Sequence, residues 1–178
     1  DEITSLAKER LSLEYVEQAE VEEIEDTLLD LLIFAFVMGY GDTTSDISDK
    51  ALETVNKEID GETWKTRLRE HIANEDIQGI YRLAETEIHR DYVSGTLDRA
   101  IDDGYKTKTW RTARDDRVRD THDYLENMTV GIKDYFYTYD GDGAQAPSEF
   151  ALAENNCNFW ICDRVRMYNL CNNRYSSD

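Results

Sequence analysis

Proline is nearly absent from this 178-residue chain, where Pro147 stands alone. Proline is the residue that most strongly interrupts a helix, so the first 146 positions are free to form long ones. Cysteine is scarce and late, at positions 157, 162 and 171 only. Three thiols near one end do not make the even-numbered disulfide framework of a small secreted domain. Positive charge is also short: 20 Lys and Arg face 39 Asp and Glu, a formal charge of −19. Such a charge repels phosphate backbones and anionic membranes, which excludes a nucleic-acid binder that uses its whole surface. Long apolar runs are missing as well. The longest, Leu31 to Met38, falls far below the roughly 20 residues of a membrane span. It lacks the basic lead and small-residue cleavage site of a signal peptide, and reads as a buried core helix with no membrane partner. Gly-x-Ser-x-Gly, His-Glu-x-x-His and phosphate-cradling glycine loops are absent, so nothing here points to an enzyme.

What is present is enough to fold. Apolar residues make up 40% of the chain and include 11 Tyr, 5 Phe and 3 Trp, more burial than a solvated acidic tail supplies. The length suits one ordinary domain with one core. The acidity is uneven. Residues 1–60 hold 17 acids and 4 bases, residues 61–125 hold 14 and 12, and residues 126–178 hold 8 and 4. The excess is therefore mainly N-terminal, which suits a solvated face or a docking surface for a basic partner. The chain opens on Asp1 and not on Met, so a longer parent protein is one expectation.

Apolar spacing predicts helices through the first hundred residues. Leu6, Leu13, Val16, Val21 and Ile24 mark an acidic amphipathic opening, and Leu28, Leu31, Leu32, Ala35 and Phe36 continue it to the Gly39-Tyr40-Gly41 turn. Ile47, Ala51, Val55 and Ile59 form the next stripe, after a stretch rich in N-capping residues. Trp64, Leu68 and Ile72 carry a third helix. A restart at Asn74-Glu75-Asp76 leads into Ile80, Leu83, Ala84, Ile88 and Tyr92, with Gly95 and Gly104 bounding a short last stretch. After Gly104 the pattern changes. Residues 105–113 alternate and favour Tyr, Thr and Trp, which predicts a strand. A short helix over about Asp115 to Leu125, a strand over 130–139, a turn-rich loop and a tail ambiguous between strand and helix complete the reading. The expected fold is α+β and mostly helical: an acidic helical region over 1–104 and a small α+β module over 105–178, together one compact domain. The Asp-Gly-Asp-Gly run at 140–143 resembles the start of a calcium loop without its later ligands, and reads as a turn.

One stretch is distinctive. In KTKTWRTARDDRVRDTHDYLENMTV, Trp110 is followed by Asp115 or Asp116, then Arg117, Val118, Arg119 and His122, and later by Leu125 and Val130. This order resembles the signature of the Mu F-like phage head morphogenesis family, the minor head proteins of tailed bacteriophages. Upstream, AETEIHRDYVSG is similar to that family's helix, with Thr86-Glu87 in the place of its Thr-Glu pair. Downstream, Pro147 and then Glu154-Asn155-Asn156-Cys157 resemble its loop and its Asn-Cys end. The resemblance covers about 76–160, and four blocks in order are more specific than any one of them. The family's closing Cys-Arg-Cys is replaced here by Cys157-Asn158-Phe159, with the next cysteine at 162.

The resemblance implies a structural, non-enzymatic protein of the virion interior, present in the host cytoplasm during assembly. Its partners would be the portal protein, the capsid or a scaffold protein, beside packaged DNA without specific binding. Glu87, Trp110, Asp115, Arg117, Arg119 and His122 would form its structural network. A delivery or trafficking domain of a larger toxin-like protein is the alternative that Mu F-like fusions suggest. The residues themselves leave two further readings. On a helix, Asp115, Arg119 and His122 share one face, which suits either an ion-pair network against the Trp110 strand or a general base oriented by Asp115. His122, Cys157, Cys162 and Cys171 could supply a one-His, three-Cys zinc site, as in a zinc-dependent catalytic variant; otherwise no cofactor is expected. The basic run Lys106, Lys108, Arg111, Arg114, Arg117 and Arg119 beside Trp110 suits intramolecular pairing with the acidic region or a protein partner better than nucleic acid.

Overall fold

Helix ends are set by local chemistry that the sequence spells out. In the computed structural model, which describes residues 18–112, 120–152, 155–156 and 164–168, four helices come first. Helix α1 (Gln18–Tyr40) ends where Gly41, at φ 79°, donates its N–H to the Val37 carbonyl at 2.8 Å. Helix α2 (Ser45–Val55) follows. Helix α3 (Trp64–Ala73) starts at Thr63, whose hydroxyl accepts the Thr66 N–H. Helix α4 (Ile77–Asp102) starts at Asp76, whose carboxylate accepts the Gly79 N–H at 2.8 Å, satisfying a donor that the first turn leaves open. That bond is the main reason the Asp76 carboxyl sits below its ordinary range.

The helical core gathers the predicted stripes. Ile24, Leu28 and Leu32 of α1 pack with Val55, Trp64, Leu68 and Ile72, and with Ile80, Leu83 and Ala84 of α4. Phe36, Tyr40, Ile47 and Ala51 form a second cluster where α1 meets α2. The α1 run is not buried all round. Phe34 and Met38, one turn apart, are 59% and 56% exposed, because the helix lies on the surface of the bundle and buries one stripe.

The small module is built on β1 (Thr107–Arg111), the central strand of an antiparallel sheet in the order β2-β1-β5. Its neighbours are β2 (Thr129–Gly131) and β5 (Arg164–Tyr168), with Lys108 opposite both Val130 and Met167. A short helix α5 (Asp120–Asp123) lies between β1 and β2. A hairpin of β3 (Phe136–Tyr137) and β4 (Gly143–Ala144) follows. The fold is mostly helical α+β, as the sequence implies.

Three boundaries differ from the sequence reading. Gly95 does not bound a helix, since α4 runs through it for 26 residues. The glycine serves close approach instead, as a Cβ there would lie 2.1 Å from the Phe36 carbonyl oxygen. Ile59 is outside α2 and bridges to Glu62 around Asp60 and Gly61, both at positive φ. Residues 130–139 are not one strand. A turn at 132–134, closed by the Asp134 N–H on the Gly131 carbonyl, separates β2 from β3. Of the helix expected over 115–125, the part before Asp120 lies outside the described residues. Asp-Gly-Asp-Gly is the tight turn of the β3–β4 hairpin. No helix among the described residues is long and apolar enough to cross a membrane.

Candidate functional site

On a strand, residues two apart share a face, so Lys108 and Trp110 of β1 both point to one side. Trp110 is fully buried there and meets His122 edge-on, at 5.8 Å between ring centroids and 82° between planes. Phe136 and Phe150 close the cluster, at 5.1 and 5.8 Å from Trp110, and Phe150 also lies 5.4 Å from the His122 ring. His122 is 1% exposed and reads as a packed ring in an aromatic core. Asp115, Arg117 and Arg119 lie outside the described residues, as do Cys157, Cys162 and Cys171. Among the described residues no three His, Cys, Asp or Glu side chains are grouped to hold a metal ion.

The loop after β4 is held by carboxylates. Asp142 accepts the N–H groups of Ala151 and Leu152 and the Asn155 amide, at 3.0–3.2 Å. Asp140 accepts the Thr138 hydroxyl, and that bond is the main reason its carboxyl is held below its ordinary range. These bonds hold the loop that sets Ser148 and Glu149 against α4. His89 and Ser148 share a hydrogen bond of 3.1 Å, and the Ser94 hydroxyl donates to Glu149 at 2.7 Å. Helix and module thus meet along a seam.

Behind the seam lies a buried charge network. Glu87 is fully buried and pairs with Arg67 at 2.9 Å and with Arg90 at 2.6 Å. Arg90 also donates to Asp91 at 3.2 Å and to the Val55 carbonyl at 3.4 Å, which ties α4 to the end of α2. Burial pushes the Asp91 carboxyl up to about 7, although Arg90 pulls the other way. Burial raises Glu149 too, against its Ser94 hydrogen bond. Loss of water around Lys108 lowers its ammonium to about 8, with Glu149 and Asp134 opposing. Its Nζ has no hydrogen-bond partner among the described residues and sits 5.5 Å from the centre of the Phe136 ring.

Between these parts opens a cavity of about 240 Å³. Thr54, Lys57 and Glu58 form one wall, Arg90 and Ser94 of α4 the second, and Tyr135, Gln145 and Glu149 the third. Such a lining offers hydroxyl, amide, guanidinium and carboxylate groups to a polar molecule. It also brings Glu149, a carboxyl whose proton affinity is raised by burial, to the contact between helix and module.

Of the basic run, Arg114, Arg117 and Arg119 lie outside the described residues. Lys108 is buried, and Arg111 pairs with Glu126 of its own module at 3.4 Å; among the described residues neither pairs with the acidic N-terminal region. In the described part of that region, Glu25 is met by Arg69 and Lys65 of α3, while Lys50 of α2 reaches out to Asp102 at the end of α4. Glu87 was singled out from its block, whereas Arg90, Asp91 and Ser94 stood in the same block with no role given to them, and Glu149 stood outside the quoted blocks. A signal existed: Glu87, Arg90, Asp91 and Ser94 recur at helical spacing, which places polar groups on one inward face. No protein-family model, curated protein or solved structure matches the chain.

Proposed function

We propose that this chain is a structural minor head protein of a tailed bacteriophage or prophage, acting in procapsid morphogenesis near the portal and in genome delivery. The observation that carries the reading is convergence. The blocks that bear the resemblance are far apart in sequence, yet the helix block meets the loop block through His89–Ser148 and Ser94–Glu149. Trp110 and His122 pack on Phe150 of that same loop. Pro147 and Asn155 are buried in it. Residues used in this way hold a shape, and a shape-holding module is what an assembly component needs.

Recognition then belongs to the outside. On α1, Glu22, Glu23, Asp26 and Asp30 are exposed and lead into the exposed Phe34 and Met38. This face offers acid at one end and apolar contact at the other, a combination that steers a basic partner and then anchors it. The strong negative charge lets the protein lie beside packaged DNA without adhering to it.

Co-expression with the portal, shell and scaffold proteins of its own genome tests the proposal. Stable co-purification with portal, weakened at high salt and by Phe34→Asp, is the expected result. Association with none of the three would overturn it.

A further inference from the structure

A row of tyrosines adjoins the seam cavity, and head assembly gives it no role. Along the segment that carries β3, Tyr135, Tyr137 and Tyr139 are 49%, 57% and 71% exposed, whereas Phe136 and Thr138 between them are buried. Alternation therefore puts three aromatic rings on the outer side. The Tyr135 and Tyr137 centroids are 6.2 Å apart. The Tyr137 ring lies close over Gly143, where a Cβ would come within 2.7 Å of it. That ring is seated against the opposite strand, so a molecule packing on it orders little that is loose. Tyr135 is at once a member of the row and a wall of the cavity.

The cavity selects by charge. Lys57, Arg90, Glu58 and Glu149 all line it, so the charged groups of the lining balance. A phosphorylated ligand meets two carboxylates and a molecule of charge −19, which disfavours it. An ammonium ligand meets Lys57 and Arg90. An uncharged ligand rich in hydroxyls meets no such opposition. The Glu149 carboxylate takes one donor from Ser94 through Oε1, and a partly desolvated carboxylate gains from each further donor it receives. At about 240 Å³ the space is below the roughly 300 Å³ at which drug-sized pockets begin, and it suits a single small ring.

We propose that the cavity and the tyrosine row together bind a neutral saccharide, with one pyranose ring among Arg90, Ser94 and Glu149 and the next packed on Tyr137. The apolar C–H face of each sugar lies on a tyrosine ring, and its hydroxyls turn to the polar walls. This site is independent of the head-assembly reading and stands or falls separately.

The test is a backbone amide NMR titration of the full chain. The probes are methyl glucoside, methyl galactoside, methyl mannoside, N-acetylglucosamine and the disaccharides cellobiose and maltose, with oligothymidylate as the charged stacking control. At least one monosaccharide is expected to shift amides of residues 90–94 and 135–149, with Kd on the order of 1 mM. A disaccharide of the same sugar should bind several-fold tighter. Tyr137→Ala should remove that gain while leaving the monosaccharide unchanged, and Glu149→Gln should weaken both about tenfold. Tyr137 is exposed, so its variant keeps the fold and serves where the Glu149 variant does not. Absence of shifts with every saccharide at about 50 mM, far above that Kd, would overturn the proposal. So would saturable binding of oligothymidylate in their place, which would make the row a single-strand stacking platform.

Discussion

Lys108 occupies the position in β1 where an apolar side chain would do the same packing at lower cost. It is fully buried beside Phe136, its Nζ lacks a hydrogen-bond partner among the described residues, and the nearest opposite charges act from Glu149 and Asp134. A buried ammonium without a hydrogen-bond partner is destabilising relative to an apolar residue of similar length. Lys108→Met should therefore raise stability by about 1–3 kcal/mol, read from the urea midpoint at pH 7. A lower midpoint would show that Lys108 pairs more strongly than its surroundings indicate. By its type the residue belongs to a basic run that suits pairing with the acidic region or with a protein partner, because composition alone places a lysine in water or against an acid. Its strand parity with Trp110 carried the better information, two residues away on the same face. His122 shows the opposite case. Its type suggested a base or a ligand, and only the positions of Phe136 and Phe150, remote in sequence, show that it lies within an aromatic cluster.

At the scale of elements, helices were legible because their stripes recur every three to four residues and their caps are polar residues of the expected kind. Thr63 and Asp76 cap α3 and α4 with their side chains. Gly95 was misread because the same residue type ends helices and permits close helix contact, and only the partner distinguishes the two uses. That partner is α1. A Cβ on Gly39 would lie 1.9 Å from the Tyr92 carbonyl oxygen, and one on Gly95 2.1 Å from that of Phe36. Both obstacles are backbone, which cannot rotate aside. Gly95→Ala should destabilise by about 3 kcal/mol through overpacking, despite the better helix propensity of alanine. Thermal unfolding followed by circular dichroism would measure it, and an unchanged or higher midpoint would rule out a tight crossing. Short strands were the least legible elements, since β3 and β4 have two residues each and the turn at 132–134 that separates β2 from β3 carries neither proline nor glycine.

At the scale of the whole molecule, the seam makes stability depend on pH in an uncommon direction. The Asp91 carboxyl keeps its proton to about pH 7 in the folded chain, against a reference near 3.8. Between those values the folded state binds more protons than the unfolded state, so this group's contribution to stability falls as pH rises from about 4 to about 7 and then levels off. Asp102 and Asp140, whose carboxyls are lowered, act in the opposite sense at lower pH. The difference between wild type and Asp91→Asn isolates the effect. The variant's advantage should grow through that window and reach on the order of 2 kcal/mol by pH 8, measured by urea unfolding at several pH values. Parallel curves would exclude Asp91 as the source. The division into an acidic helical half and a nearly balanced remainder was visible in the sequence. The joint between them was not, since it depends on which loop residue meets which turn of α4.

Helix α4 belongs to both sides of that joint. Its first turns place Ile80, Leu83 and Ala84 in the helical core, and its middle turns place His89 and Ser94 on the module. The point where the sequence changes character, after Gly104, is therefore not a point where the chain can be divided cleanly. A fragment ending there would keep Arg90 and Asp91 while losing the wall that shields them, leaving a wet, charged groove along its longest helix. Through α4, a change in either half should therefore be felt in the melting of the other, which hydrogen exchange of both halves would measure.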